Sequence, residues 1–208
     1  MSAPASQRLT PEEYLAFERA SEAKHEFYDG QVFAMAGTSL NHARISKNIV
    51  KSVDSQSTST GCEAFSGDIR VKVSARGFYT YPDIVTVCGT PELEDSVLDT
   101  LLNPKVIFEV LSPSTESYDR GRKFALYQGL DTLTDYVLVS QDTCRVEHYE
   151  REDAGHWRLA VHDSIDQSLQ VRSVGCEIPL REIYDRVEFG PTPPLHPQTE
   201  THPISAEA

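Results

Sequence analysis

Three short segments in the middle of the chain constrain its fold most, because they are almost continuously apolar. They are YTYPDIVTV at 79–87, KVIFEVL at 105–111 and YVLVS at 136–140. Apolar runs of this length, without regular alternation, are typical of strands that are covered on both faces of a sheet. The sequence therefore predicts a deeply buried central sheet.

A helix and a hairpin are predicted before these strands. TPEEYLAFERA (10–20) begins with a capping box between Thr10 and Glu13, which is typical of a helix N-terminus. HEFYDGQVFAMAG (25–37) has two alternating segments on either side of Asp29-Gly30, a dipeptide that favours a type I′ hairpin turn. Glu26 lies on the first strand of that hairpin.

The remaining elements complete the predicted order. Apolar residues at helical spacing over 40–53 indicate an amphipathic helix with a basic side. Asp119 is the expected N-cap of a later helix that runs through RGRKFALYQ to Gly129. Antiparallel strands and a short final helix are expected after YVLVS, extending the sheet. The order predicts an α/β (α+β) fold: a mixed central sheet flanked by helices, with an added N-terminal hairpin and C-terminal antiparallel strands.

Length and composition favour one domain. The chain has 208 residues, and the domain is expected at 1–189. The segment 190–208 contains five prolines and almost no large apolar residue, so it is expected to be disordered. A cytoplasmic protein is expected, since neither a signal peptide nor a membrane-spanning run is recognisable. Free thiols are expected for the cysteines, which lack metal-site spacing: Cys62, Cys88, Cys144 and Cys176.

The formal net charge of −13 limits the classes of function. Such a chain has little non-specific attraction for nucleic acid or for anionic membranes. Any role on nucleic acid must therefore depend on a local site. An acidic surface that aids solubility explains the total charge on its own.

Glu109 lies inside the second apolar segment, where an ionised carboxylate is costly unless it has a partner. It could face outward at the end of the strand, pair with Arg or Lys, or hold a metal ion, and the first two arrangements are the commoner ones. Asp83 repeats the situation at the start of another apolar segment. If the two strands adjoin, both carboxylates can converge, and such oxygen ligands suit Mg²⁺.

Lys123 is the third candidate, because it is expected in the first turn of its helix, where the helix dipole disfavours a cation. Its side chain could extend to solvent or pair with Asp119. Beside two convergent carboxylates, a lysine can instead orient or deprotonate a water molecule and neutralise charge that develops on a phosphate.

These residues lie in motifs that resemble a known family. Pro82-Asp83, followed by Glu109-Val110-Leu111 on the next strand, is similar to the site of the PD-(D/E)XK nuclease superfamily. Six segments resemble, in order, the motifs of the Uma-type putative restriction endonucleases, a bacterial family: HEFYDGQVFAMAG, NHARIS, YPDIVTV, FEVLSPST, DRGRKFALY and TDYVLVS. The resemblance covers roughly residues 8–186. It implies a restriction-endonuclease-like fold with a metal-dependent phosphodiesterase site.

The resemblance also implies a role for each site residue. Asp83 and Glu109 would bind Mg²⁺, or Mn²⁺ in its place, and would be catalytic together with Lys123. The superfamily has its lysine two residues after the glutamate, where this chain has Leu111. In the family resembled, that lysine is understood to have moved to the following helix, which makes it Lys123. Glu26 matches the family's hairpin glutamate and would add a metal ligand or a contact behind one.

The residues leave three roles open. Glu26 could equally be a surface residue paired with Lys24. His42 could reach the site from the start of its helix or serve as a capping or core histidine, and it is left outside the catalytic set. A basic stripe is usually a solvated face, but four residues are candidate phosphate contacts: Arg44, Lys47, Lys51 and Arg122.

The implied function is a Mg²⁺-dependent endonuclease, a hydrolase that cuts the phosphodiester bonds of DNA. DNA is the expected partner, a membrane is not, and a homodimer would suit two cuts on duplex DNA. The alternative is a catalytically inactive nucleic-acid-binding or protein-interaction module on the same fold. The net charge and the missing strand lysine favour that alternative.

Overall fold

The computed structural model of the chain describes residues 8–35, 37–57, 60–73, 77–153 and 155–190. The elements in chain order are α1 (Pro11–Ala20), β1 (His25–Tyr28), β2 (Gln31–Ala34), α2 (Leu40–Ser57), β3 (Cys62–Ser66), β4 (Arg70–Val73), β5 (Phe78–Thr80), β6 (Ile84–Cys88), β7 (Thr100–Leu101), β8 (Val106–Leu111), α3 (Glu116–Tyr118), a π-helical turn (Asp119–Lys123), α4 (Phe124–Tyr127), β9 (Asp135–Ser140), β10 (Val146–Asp153), β11 (His156–His162), β12 (Ser168–Val171), a 3₁₀ turn (Arg172–Val174), β13 (Cys176–Pro179) and α5 (Leu180–Ile183).

The central sheet has six strands in the order β11-β10-β9-β8-β6-β3. β8 and β9 are parallel, whereas the other neighbouring pairs are antiparallel. The second and third apolar segments form β8 and β9, as predicted. The first segment, predicted as one strand, is divided: its start belongs to β5 of another sheet and its end forms β6. β6, β8 and β9 lie side by side in the middle of the central sheet. The prediction of a mixed α+β fold around a buried central sheet is confirmed.

Helices cover both faces of the central sheet. On one face Ile45, Ile49 and Val53 of α2 pack in a cluster with Phe108 and other residues of the sheet. On the opposite face Ile107 of β8 belongs to a second cluster with residues of α4. Alternation along β8 places Glu109 on that second face, together with Ile107. The carboxylate therefore points toward the helical segment that follows the strand.

A second sheet, in the order β2-β1-β5-β4-β7, contains the predicted hairpin. Asp29 and Gly30 both have positive φ, 47° and 80°, as a type I′ turn requires. The hairpin is part of this larger sheet, since β1 also pairs with β5. α1 begins with the predicted capping box at Thr10 and packs Tyr14 on the hairpin through Phe27. This sheet positions Glu26.

Two predictions about the elements are wrong. The helical segment after β8 begins at Glu116, so Asp119 is a buried residue inside it and Lys123 lies beyond its first turn. At the C-terminus, β10 and β11 extend the central sheet as predicted, but β12 and β13 form a separate two-stranded sheet. The short final helix is confirmed as α5.

The cysteine prediction is wrong for one pair. Cys62 and Cys88 form a disulfide between β3 and β6. The two residues are directly opposite each other in the antiparallel ladder, which brings their side chains together. Cys144 and Cys176 are free, as predicted.

Two other predictions concern the C-terminal tail and membrane-spanning segments. The predicted disordered tail at 190–208 lies outside the described residues, apart from Gly190. In the described part of the chain, no helix has the length and apolar character that crossing a membrane requires.

Candidate active site

A cavity of about 420 Å³ opens between the β1–β2 hairpin, the start of α2 and the helical segment after β8. The ends of two central strands form its floor. Its walls include six residues with side chains that can carry charge: Glu26, His42, Asp83, Glu109, Asp119 and Lys123. The four residues predicted for the site, Glu26, Asp83, Glu109 and Lys123, thus lie around one cavity.

The pairing of β6 with β8 brings Asp83 next to Glu109. The strands are antiparallel with Ile84 opposite Phe108, so Asp83, just before β6, lies level with Glu109 near the end of β8. The Val110 amide donates a hydrogen bond to Asp83 Oδ2 at 2.7 Å, which fixes the aspartate beside the strand. The expectation that the two strands adjoin is confirmed.

Glu109 is 3% exposed, so its carboxylate depends on partners within the protein. Its Oε1 accepts a hydrogen bond from the Tyr127 hydroxyl at 2.9 Å and lies 2.9 Å from Lys123 Nζ. Burial raises the pKa of Glu109, the Lys123 ammonium opposes that rise, and the negative charge of Asp83 adds to it. The net effect is a raised pKa, so Glu109 holds a proton more readily than an ordinary glutamate does, and the Lys123 ammonium limits that rise.

Lys123 lies among three carboxylates. Besides Glu109, its Nζ is 3.3 Å from Glu26 Oε1 and 3.6 Å from Asp119 Oδ1. Burial by itself lowers the pKa of Lys123, but Glu109, Glu26 and Asp119 together raise it well above its usual value. The side chain is therefore a buried ammonium that donates hydrogen bonds.

The backbone around Lys123 is a π-helical turn, which is frequent at functional sites. Asp119 and Lys123 are the first and last residues of this turn, and both are buried. The turn thus directs a carboxylate and an ammonium into the same cavity. Burial raises the pKa of Asp119, against the effect of the Lys123 charge.

Glu26 belongs to the cavity and not to the surface. Its carboxylate accepts hydrogen bonds from the hydroxyls of Thr80 and Tyr118, in addition to its ion pair with Lys123. Lys24, the alternative partner, instead contacts Asp68 and the carbonyl of Gly67. Of the two interpretations of Glu26, the geometry therefore favours the one that places it at the site.

His42 was left outside the catalytic set, and the structure places it at the site. It lies in the first turn of α2, and its Nε2 is 3.0 Å from Asp83 Oδ1. Tyr127 was missed altogether. The only sequence signal for His42 was its position at the start of a helix in the NHARIS motif. Tyr127 gave no signal, because it occupies an apolar position of a helix.

The donor set suits a hard divalent cation. Among the described residues, no group of three or more His, Cys, Asp and Glu side chains forms a ready-made metal site. Mg²⁺ does not need such a group, because it keeps several waters and takes one or two carboxylates together with substrate phosphates. Asp83 and Glu109 supply two carboxylates to one cavity, so the residues fit Mg²⁺ or Mn²⁺.

The basic residues predicted as phosphate contacts lie away from the walls of the cavity: Arg44, Lys47, Lys51 and Arg122. Arg122 is exposed, and its guanidinium lies over the ring of Tyr28, 4.5 Å from the centroid. Lys123 is therefore the only Lys or Arg among the described residues that line the cavity.

Comparisons with known proteins give a matching family model and similar relatives. The model of the Uma2 family, described as putative restriction endonuclease, matches residues 11–181. An uncharacterized protein of Synechocystis sp. is 35% identical over 182 residues, which are 88% of this chain and 94% of the relative. A second uncharacterized protein of the same organism is 33% identical over 151 residues, 73% of this chain and 85% of the relative.

The solved structures with a similar fold include that of a nuclease-like protein. It is the crystal structure of a putative nuclease belonging to DUF820 from Anabaena variabilis, with a TM-score of 0.69. The match covers 85% of this chain and 97% of that chain at 17% sequence identity. The similarity in fold is thus far greater than the similarity in sequence.

Proposed function

Because the chain belongs to the Uma2 family of putative restriction endonucleases, we propose that it is a metal-dependent endonuclease that hydrolyses the phosphodiester bonds of DNA. The structure has the fold of a putative nuclease. A cavity lined by buried carboxylates and one lysine supplies a site of the kind that this reaction needs. The reaction class is hydrolysis of an ester bond.

One observation carries the proposal. The Lys123 ammonium lies 2.9 Å from Glu109 and 3.3 Å from Glu26, in the cavity that Asp83 also lines. Burial of an ion cluster costs several kcal/mol per ion, so such a cluster is a poor choice for stability alone. Groups of this kind are instead what phosphoryl chemistry uses to bind and neutralise charge.

Asp83 and Glu109 would hold Mg²⁺, with Mn²⁺ as the alternative ion. Glu26 would add a ligand or fix the position of the ammonium. When bound, the ion supplies polarisation of a phosphate oxygen and a lowered pKa for a bound water. In this proposal the activity requires a divalent cation because Asp83 and Glu109 bind it, with Glu26 beside them.

The side chains of the chain have separate tasks in this proposal. Lys123 donates hydrogen bonds that orient the attacking water and neutralise charge on the phosphate. Tyr127 holds the Glu109 carboxylate through its hydroxyl, at 2.9 Å. His42 and the Val110 amide hold the two oxygens of Asp83, at 3.0 and 2.7 Å. The carboxylates are thus oriented before a substrate arrives.

A catalytically inactive binding module is the second candidate. The net charge of −13 favours it, together with the four predicted phosphate contacts that lie off the cavity wall. Such a module would bind DNA or a protein and would leave phosphodiester bonds intact under every divalent cation.

Cleavage assays with isosteric variants separate the two candidates. Purified protein is incubated with labelled duplex, single-stranded and branched DNA in Mg²⁺, Mn²⁺ or EDTA. We expect cleavage that needs the cation and that falls at least about 100-fold in Asp83→Asn and Glu109→Gln, the loss typical of a removed transition-state contact. Glu63→Gln, which changes an exposed strand glutamate away from the cavity, is the matched control. Equal activity in all three variants would exclude this site.

A further inference from the structure

Phe33 is an exposed aromatic residue beside the candidate active site. It lies on β2, directly opposite Glu26 in the hairpin, and its side chain therefore shares a face of the sheet with that carboxylate. Phe33 is among the residues that line the cavity, and it is 46% exposed. The cavity thus has an exposed, flat apolar side chain on its wall, next to Glu26.

Packing within the chain does not account for Phe33. Among the described residues, it belongs to none of the three buried apolar clusters. It also makes no ring contact with Phe27 or Tyr28, the next two residues after its partner Glu26 on β1, which do contact other aromatic rings. The exposed ring is therefore free to contact a ligand.

A cation lies on the same face of the hairpin. Tyr28 is two residues after Glu26, so alternation places both side chains on one face of β1. The exposed guanidinium of Arg122 stacks on the Tyr28 ring. An aromatic platform with a nearby cation is the combination by which proteins bind the bases and backbone of single strands.

Charge and depth disfavour a duplex at this cavity. Glu109 is 3% exposed, so a phosphate must enter the cavity to reach it. Duplex DNA carries a phosphate about every 1.7 Å along its axis and usually binds through many basic contacts. Four carboxylate residues line this cavity against one lysine: Glu26, Asp83, Glu109 and Asp119 against Lys123. A flexible strand can present one phosphate at a time.

We propose that Phe33 stacks on an unpaired base of single-stranded DNA whose neighbouring phosphate enters the cavity, which makes single-stranded DNA the substrate class of this site. The inference rests on the proposed nuclease function and adds the form of the DNA to it. Stacking requires a base with an open face, which a base-paired duplex does not offer away from its ends.

Binding measurements test this proposal without cleavage. Fluorescence anisotropy is recorded with the full chain in EDTA and in Ca²⁺, using a labelled 15-nucleotide strand and the duplex of the same sequence. We expect tighter binding of the single strand. Phe33→Ala should weaken that binding by about 5- to 150-fold, the range expected for one lost base–aromatic contact.

Three variants make the result specific for the ring. Phe33→Trp keeps a flat aromatic face and should bind like the native chain, whereas Phe33→Leu keeps apolar character only and should resemble Phe33→Ala. A strand with 2-aminopurine should show quenched emission with the native chain and not with Phe33→Leu. Phe17→Ala removes a phenyl of similar exposure, 44%, that does not line the cavity, and should leave binding unchanged.

Several results would overturn the inference. The first is that the duplex binds as tightly as the single strand. The second is that Phe33→Ala and Phe17→Ala change binding equally. The third is that neither DNA form binds in EDTA or in Ca²⁺. Failure of the proposed function gives a different pattern. In that case Phe33-dependent binding of single strands persists while no cation supports cleavage. Cleavage that needs Glu109 but prefers duplex DNA would leave the nuclease proposal standing and overturn this one.

Discussion

Replacing Lys123 by methionine removes the cation from a cluster of three carboxylates. The Nζ atom lies 2.9 Å from Glu109, 3.3 Å from Glu26 and 3.6 Å from Asp119, and the lysine side chain is only 6% exposed. Methionine is similar in length and carries no charge, so its main effect is electrostatic. We expect a variant that folds at acidic pH and loses stability steeply as the pH rises.

The size of the loss follows from the proton that replaces the cation. Without the ammonium, burial leaves one more carboxyl protonated in the folded variant than in the folded native chain, whereas an unfolded glutamate has a pKa of about 4.3. Keeping the proton costs about 1.36 kcal/mol per pH unit above that value, which is about 3.7 kcal/mol at pH 7 and about 1 kcal/mol at pH 5. The folded variant binds more protons than its unfolded state, so its stability falls as the pH rises.

Urea denaturation of Lys123→Met and the native chain, followed by circular dichroism between pH 5 and pH 7.5, measures the difference. Lys51→Met, at an exposed position of α2, is the control and should stay within about 0.5 kcal/mol at every pH. The double variant Lys123→Met/Glu109→Gln should regain part of the stability at pH 7, because glutamine needs no proton. The same loss at pH 5 and pH 7, or a loss under about 1 kcal/mol at pH 7, would refute the reasoning.

Three further predictions follow from individual contacts. Tyr127→Phe removes the hydroxyl that donates to Glu109 at 2.9 Å. Urea unfolding should therefore show that the free energy of unfolding falls by about 1 kcal/mol, and DNA cleavage should slow. Unchanged cleavage would contradict a positioning role for Tyr127. Burial by itself raises the pKa of Asp135, but hydrogen bonds, first that of His148, lower it below its usual value. The lowered pKa contributes folding stability that is present above about pH 4 and is lost in acid. Asp135→Asn should therefore flatten the acid limb of the stability–pH curve. Leu98 is exposed with φ of 63°, so Leu98→Gly should raise the unfolding free energy by about 1 kcal/mol, and a lower melting temperature would contradict this.

Local signals predicted the elements well where short-range chemistry decides them. The capping box at Thr10 and the Asp29-Gly30 turn involve residues within four positions of each other, and the structure has both. The disulfide is different in kind. Cys62 and Cys88 are 26 residues apart and meet because β3 pairs with β6 in one particular register. A sequence without that register offers no reason to join them.

The candidate site divides in the same way. Asp83 and Glu109 were identified because carboxylates are out of place in apolar strands, and this mismatch is visible in the sequence. His42 and Tyr127 belong to ordinary helical patterns, and their contacts with the carboxylates depend on how α2 and α4 pack on the sheet. Their roles become visible only when the tertiary structure is known.

The position of the lysine on a helix changes what holds the ammonium in place. A lysine two residues after Glu109 would share a strand and a face with it, and the sheet alone would fix both. Lys123 depends instead on the packing of the helical segment that follows. Tyr136 of β9 holds that segment, since its hydroxyl donates to the Asp119 carbonyl at 3.0 Å and its ring stacks on the neighbouring Phe124.

Leu111 takes part in the same packing. It is 4% exposed and belongs to the cluster that contains Phe124 and Tyr127, on the two ends of α4. A lysine at this position would put a charge where the helix has to be held against the sheet, at a cost of several kcal/mol. The apolar residue at the superfamily's lysine position is therefore part of what places Lys123 beside Glu109. A leucine on the strand and a lysine on the helix are thus joined through one apolar cluster, which Leu111 shares with α4.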